Sequence, residues 1–245
     1  MSFMAKLRLG PVQPGMSSAA QARDGRASMG PLHAPGSVPS RESESRPARF
    51  SNGLKEFLWH LDGIDQGTLA DFGSVSQATV SYFVERGFKV YTEDLLAGWG
   101  AFLQREADRA KLLPTEPQPD TQGAARAERF LSSNLCHPPN SFDAALLWDV
   151  LDYLDRDTAA LFVARILSLM REGGAILAIF HPRTPEQFHR YRVLDAQNLE
   201  LVSAAPLVQP QRIYQNREIQ VLFERFRSSK TFVGRDQLRE GVFLK

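Results

Sequence analysis

One cysteine, Cys136, is all the sequence contains, so no internal disulfide can form. A chain of this kind suits a reducing compartment, which sets a cytoplasmic expectation. Long apolar runs are also missing. None reaches about 18 residues, which argues against a transmembrane helix, and the first residues lack the apolar core of about 7–15 residues that marks a secretory signal. Excess charge of either sign is absent too: 29 basic side chains stand against 28 acidic ones, a net charge of +1. Such a balance gives no strong pull toward nucleic acid or an anionic membrane. Histidine is scarce, and His137, His181 and His189 show no zinc-type spacing, so no metal site is expected. Cys136 lacks the neighbours that would make it a nucleophile.

What is present suits one substantial core. The chain has 245 residues, 43% hydrophobic and 23% charged. Residues 1–50 are crowded with Ser, Pro, Gly, Ala and Arg and show no periodicity. A segment of that composition buries too little apolar surface to offset its conformational entropy, so it reads as a disordered tail before a domain at 51–245. Its arginines, Arg23, Arg26, Arg41, Arg46 and Arg49, could meet an acidic partner, but a solvated extension is the first reading of such a terminus.

The stretch Thr68–Asp94 organises the domain. Leu69–Phe72 is a short apolar run ending at Gly73, as expected for a buried strand closed by a tight turn. Ser76 is placed to cap a helix with Val80, Phe83 and Val84 on one face, and Gly87 to stop it. Phe88–Tyr91 is a second apolar run, closed by Glu93 and Asp94. Strand, glycine turn, helix, strand and acid open a nucleotide-binding α/β unit. The acid falls about 20 residues after the glycine, the spacing at which a carboxylate meets a ribose hydroxyl.

Further along, Leu54, Phe57, Leu58 and Leu61 predict a helix, as does the pattern of Leu95–Leu113. Pro114, Pro117, Pro119 and Gly123 break the chain into a surface loop. Phe130–Leu135 reads as a short third strand or a helix end. Ala144–Trp148 suits a central buried strand. Asp157 is placed to cap a helix carrying Val163, Ile166, Leu167 and Met170, ended by Gly173 and Gly174. Ala175–Phe180 is a fifth strand with His181 at its carboxyl end. Pro182–Arg192 reads as a loop, Leu199–Ala204 is ambiguous, Glu218–Phe226 looks helical, and Lys230–Val233 with Leu238–Leu244 forms a closing hairpin.

This order resembles the class I S-adenosylmethionine (SAM)-dependent methyltransferases over Asn52–Lys245, most tellingly in SFDAALLWDVLDYLDRDTAALFVARILSLMREGGAILAIF at 141–180 and in the closing KTFVGRDQLREGVFLK. The resemblance implies an α/β, Rossmann-like three-layer sandwich. Its seven-stranded sheet would be mostly parallel, with an antiparallel C-terminal hairpin. It also implies SAM as cofactor and a small-molecule methyl acceptor. By the same resemblance Asp71, Gly73 and Ser74 would meet the methionine part of SAM, and Asp94 with Leu95 the ribose, Glu93 being an equal candidate for the acid. Asn134 would lie near the adenine amino group, and Trp148 and Asp149 on the loop lining cofactor and acceptor. His181 would be a general base. The segments Pro182–Arg192 and Leu199–Pro210 would face the acceptor. Val75 and Gln77 depart from the family's glycine pattern, and a side chain there obstructs close approach of backbone to ligand. Beside the enzyme therefore stands a second reading, a methyltransferase-fold protein without catalysis that serves as a binding or regulatory partner. A nicotinamide oxidoreductase is a distant third.

Overall fold

A computed structural model describes residues 48–112 and 123–245. The tail expected at 1–50 lies outside this range except for its last three residues. The proline-rich loop also lies outside it, apart from Gly123. In chain order the elements are β1 (Ala48–Phe50), α1 (Asn52–His60), β2 (Thr68–Asp71), α2 (Gln77–Val84), β3 (Lys89–Thr92), α3 (Leu95–Leu112), α4 (Gly123–Asn134) and β4 (Phe142–Trp148). A 3-10 turn at Val150–Tyr153 leads to α5 (Arg156–Leu169), β5 (Met170–Phe180), β6 (Phe188–Val193), β7 (Asn198–Ala204), α6 (Asn216–Leu222), β8 (Ser228–Val233) and β9 (Arg239–Leu244).

The central sheet has the order β3-β2-β4-β5-β9-β8. The first four strands are parallel, and β9 joins β5 antiparallel as the inner arm of the closing hairpin. Side chains alternate between the two faces with the period of a strand. Ala70, Phe72, Ala145, Leu147, Ile176 and Ala178 pack with α3, α4, α5 and α6 on one side. Leu69, Ala144, Leu146, Ala175 and Leu177 pack with α1, α2 and a small antiparallel sheet, β1-β7-β6, on the other. This is the three-layer, mostly parallel arrangement with an antiparallel hairpin that the sequence predicts.

Several local expectations change. Among the described residues the central sheet has six strands rather than seven, because Phe130–Asn134 lies in α4, where Phe130 and Leu131 turn inward beside Ala127. The helical cap of α5 is Asp155, not Asp157: its carboxylate accepts from Thr158 N at 3.0 Å. Ser76 does cap α2, but the buried face is Thr79, Tyr82 and Phe83, while Val84 is exposed. Gly87 ends that helix at a φ of +85°, a conformation glycine adopts without strain. Residues 48–50, placed in the tail from sequence, form β1 on β7. Arg49 is not open to a partner either; it bonds to Asp236 and to the buried Glu240, which also accepts from Gly53 N at 2.6 Å. The expected loop at Pro182–Arg192 ends in β6, and the ambiguous Leu199–Ala204 is β7.

Candidate functional site: the carboxyl ends of the parallel strands

In an open α/β sheet the natural ligand crevice lies at the carboxyl ends of the strands, where successive connections leave in opposite directions. Here that point falls between β2 and β4. Asp71 ends β2, Asp94 follows β3, Trp148 ends β4, and His181 follows β5. Gly73, Ser74, Asp94, Trp148 and Asp149 line the crevice, joined from β6 by Phe188, His189, Arg190 and Tyr191.

Trp148 is its centre. The residue is buried, with a φ of +50° that a non-glycine residue adopts only when its surroundings impose it. Its indole Nε1 donates to Asp71 Oδ1 at 2.7 Å, and its ring lies parallel to that of Tyr191 with centroids 5.4 Å apart. The indole fills the space beside Gly73: a Cβ there would stand 2.3 Å from Trp148 Cδ1. Gly73 N adds a 3.0 Å bond to the same Asp71 oxygen, while Asp71 Oδ2 is buried without a partner among the described residues. Burial pushes the Asp71 carboxyl up to about 6, against the pull of the Trp148 and Gly73 donors.

Behind Trp148 lies a proton-holding cluster. His181 Nδ1 stands 2.9 Å from Asp152 Oδ2, which also accepts the His181 backbone N–H at 2.8 Å. His181 Nε2 is 3.8 Å from Asp149 Oδ2, and the Tyr191 hydroxyl donates to that oxygen at 3.4 Å. Burial is the largest influence on Asp149 and pushes it up to about 7. Burial also disfavours a charged imidazole, but the Asp152 hydrogen bond and the Asp149 and Asp152 charges outweigh it, so His181 is held above its ordinary value. Asp149 therefore titrates near neutrality, and His181 keeps its proton longer than a free histidine does.

The other expected residues are scattered. Asp94 half-faces the crevice but caps α3, accepting from Ala97 N at 3.1 Å. Glu93 turns to His137, 3.0 Å away. Leu95 is buried in the core, its N–H donating to Phe72 O at 3.2 Å. Asn134 does not line the crevice; its amide donates to Phe130 O at 2.8 Å within α4. Tyr191, Tyr153 and Phe188 are site residues that periodicity and spacing did not reveal. Phe188 and Tyr191, three residues apart in a polar segment, were the available signal for two of them, but nothing there marks a strand folding back over the crevice.

A second cavity of about 540 Å³ adjoins Phe188 and Tyr153, whose buried hydroxyl has no partner among the described residues. Residues 185–188 and 203–206 form its walls, with Gln209 and Pro210.

An adenosyl cofactor meets suitable chemistry in the crevice but not suitable space. A glycine turn and the Asp94 carboxylate are at hand. The free volume, however, is about 10 Å³, no more than one water requires. With Trp148 in place the cofactor does not fit.

No family model and no curated protein sequence matches this chain. Among solved structures it is similar to a Burkholderia thailandensis 1,6-didemethyltoxoflavin N1-methyltransferase with bound 1,6-didemethyltoxoflavin and S-adenosylhomocysteine (19% identity, 79% of this chain and 76% of that one, TM-score 0.43). It is also similar to a glycopeptide N-methyltransferase complexed with SAM (15%, 84% and 99%, TM-score 0.41). A third is a SAM-dependent methyltransferase from Methanosarcina mazei (10%, 74% and 93%, TM-score 0.40).

Proposed function

We propose that the protein is a SAM-dependent methyltransferase acting on a small molecule, and that Trp148 must leave the crevice for the cofactor to enter. One observation carries this reading: Gly73, Asp94, Trp148 and Asp149 converge at the switch point of the parallel sheet, backed by His181 and Asp152. When bound, SAM supplies an activated methyl group, so the protein's task is alignment and proton management. With cofactor and acceptor bound, Asp149, titrating near neutrality, would take the acceptor's proton, with His181, held on Asp152, 3.8 Å from its carboxylate. The adjoining cavity, walled by both segments expected to face the acceptor, has the volume of a small-molecule site.

The non-catalytic reading has its own support in the indole that fills the crevice. Calorimetry on the full chain separates the two, with SAM, S-adenosylhomocysteine and NAD as separate ligands and Trp148→Ala beside the wild type. The enzyme reading expects S-adenosylhomocysteine to bind, and Asp94→Asn to weaken it about tenfold while keeping the helix cap. Trp148→Ala should bind about tenfold tighter than the wild type. No binding at about millimolar ligand by either folded protein would leave the non-catalytic reading. Binding of NAD alone would make it an oxidoreductase.

A further inference from the structure

Away from the crevice, between α5 and α6, lies a cavity of about 470 Å³ that shares no residue with the crevice lining. Its floor is apolar: Val163, Ala164 and Leu167 from α5 meet Leu222 and Phe226. Its rim is cationic, with Arg156, Arg212, Arg217 and Arg225 against two carboxylates, Glu218 and Glu224. Glu218 is already engaged: it bonds to Arg212, lies in the field of Arg156, and accepts from Gln215 N at 2.8 Å in the cap of α6. Arg217 and Arg225 have no ion pair among the described residues.

The wall holds one more unmet group. Tyr214 is buried, and its hydroxyl has no hydrogen-bond partner among the described residues. Beyond Leu167 and Arg225 a second hollow of about 420 Å³ continues the groove toward Arg227 and Lys245. From Arg156 to Leu167 the groove follows α5 for roughly 16 Å at about 1.5 Å per residue. Its floor is apolar; Arg156 stands at one end, and Arg225, Arg227 and Lys245 stand at the other, where Glu172 pairs with Lys245.

We propose that this groove binds an apolar-chain carboxylate, with the chain along Val163, Leu167 and Leu222 and the carboxylate on Arg217 or Arg225. Guanidinium forks match carboxylate geometry, and the volume lies within the range of small-molecule sites. A neutral or cationic amphiphile of the same chain length finds the same floor but not the same rim.

The test is calorimetric titration of the full chain with decanoate below its micellar range, with decyltrimethylammonium as the charge control. Decanoate should bind well below about millimolar, and the cationic amphiphile about tenfold more weakly or not at all. The double variant R217E/R225E should lose about tenfold or more in decanoate affinity with an unchanged circular dichroism spectrum. R217Q and R225Q taken singly serve if the double variant does not fold; at least one should weaken binding severalfold. Equal binding of the two amphiphiles, undiminished decanoate binding in the folded variants, or no binding at about 1 mM would each overturn the proposal.

Discussion

The crevice above the parallel strands and the groove between α5 and α6 are opposites. The crevice stands where the fold expects a ligand, yet it is nearly filled by the chain's own Trp148 and Tyr191 and surrounded by buried carboxyls. The groove stands where the fold implies nothing, yet it is open, apolar and ringed by arginines. In the crevice the polar groups are bound mostly to one another, so a ligand must compete with internal bonds. In the groove the cations are largely solvated, so a ligand competes mainly with water. The crevice is thus stabilised as a core is, and the groove is left as a surface.

The sharpest break of this contrast is Trp148→Ala. If the indole is core, its removal should cost about 3–5 kcal/mol, the range for large aromatic deletions, read by urea denaturation. A loss under about 1 kcal/mol would show that the crevice is not packed as described.

Next comes Asp71→Asn. The folded carboxyl, raised to about 6 from an ordinary 3.8, binds its proton more tightly than the unfolded chain does. Its stabilising effect is therefore complete below about pH 4 and is lost as pH rises through about 6, and Asp149, raised to about 7, acts in the same direction. Wild-type stability should fall across this window, and Asp71→Asn should remove up to about 3 kcal/mol of that fall. Denaturation midpoints at several pH values measure it, and an unchanged slope would place Asp71 outside the pH dependence.

Gly73→Ala is a smaller change at the same point. Its Cβ would press on the Trp148 indole, and the strain should cost about 1–3 kcal/mol by thermal melting. A neutral result would mean that the indole yields readily. The smallest effect belongs to the groove. Val221 is 60% exposed on its rim, so Val221→Ala should stay within about 0.5 kcal/mol. A larger loss would make the groove part of the core and erase the difference.

Much of the fold is legible in the chain because its signals are local. Leu69–Ala70, Ala144–Leu147 and Ala175–Phe180 are uniformly apolar because both faces of a central parallel strand are covered. Ser76 and Gly87 announce the ends of α2 through hydrogen bonding and backbone freedom that depend on a few neighbouring residues. Less local signals left choices open or misled. FLSSNL reads as a short strand or a helix end, and the second holds: it closes α4, where Phe130 packs on Trp99 and Phe102, which lie far off in sequence. Arg49 sits in a segment whose composition suggests a free tail, and partners distant in sequence, the strand β7 and the carboxylates Asp236 and Glu240, hold it down.

The candidate site divides the same way. The sequence determined that Asp71, Gly73, Trp148, Asp149 and His181 follow the ends of parallel strands, because strand order along the chain and apolar runs place them there. It could not determine what those side chains do. That Gly73 accommodates an indole and that Tyr191 arrives from β6 to stack on Trp148 were decided by tertiary packing alone. The physical reason is range: a strand or a cap is fixed by neighbours a few residues away, whereas the space in a crevice is set by every element that closes over it.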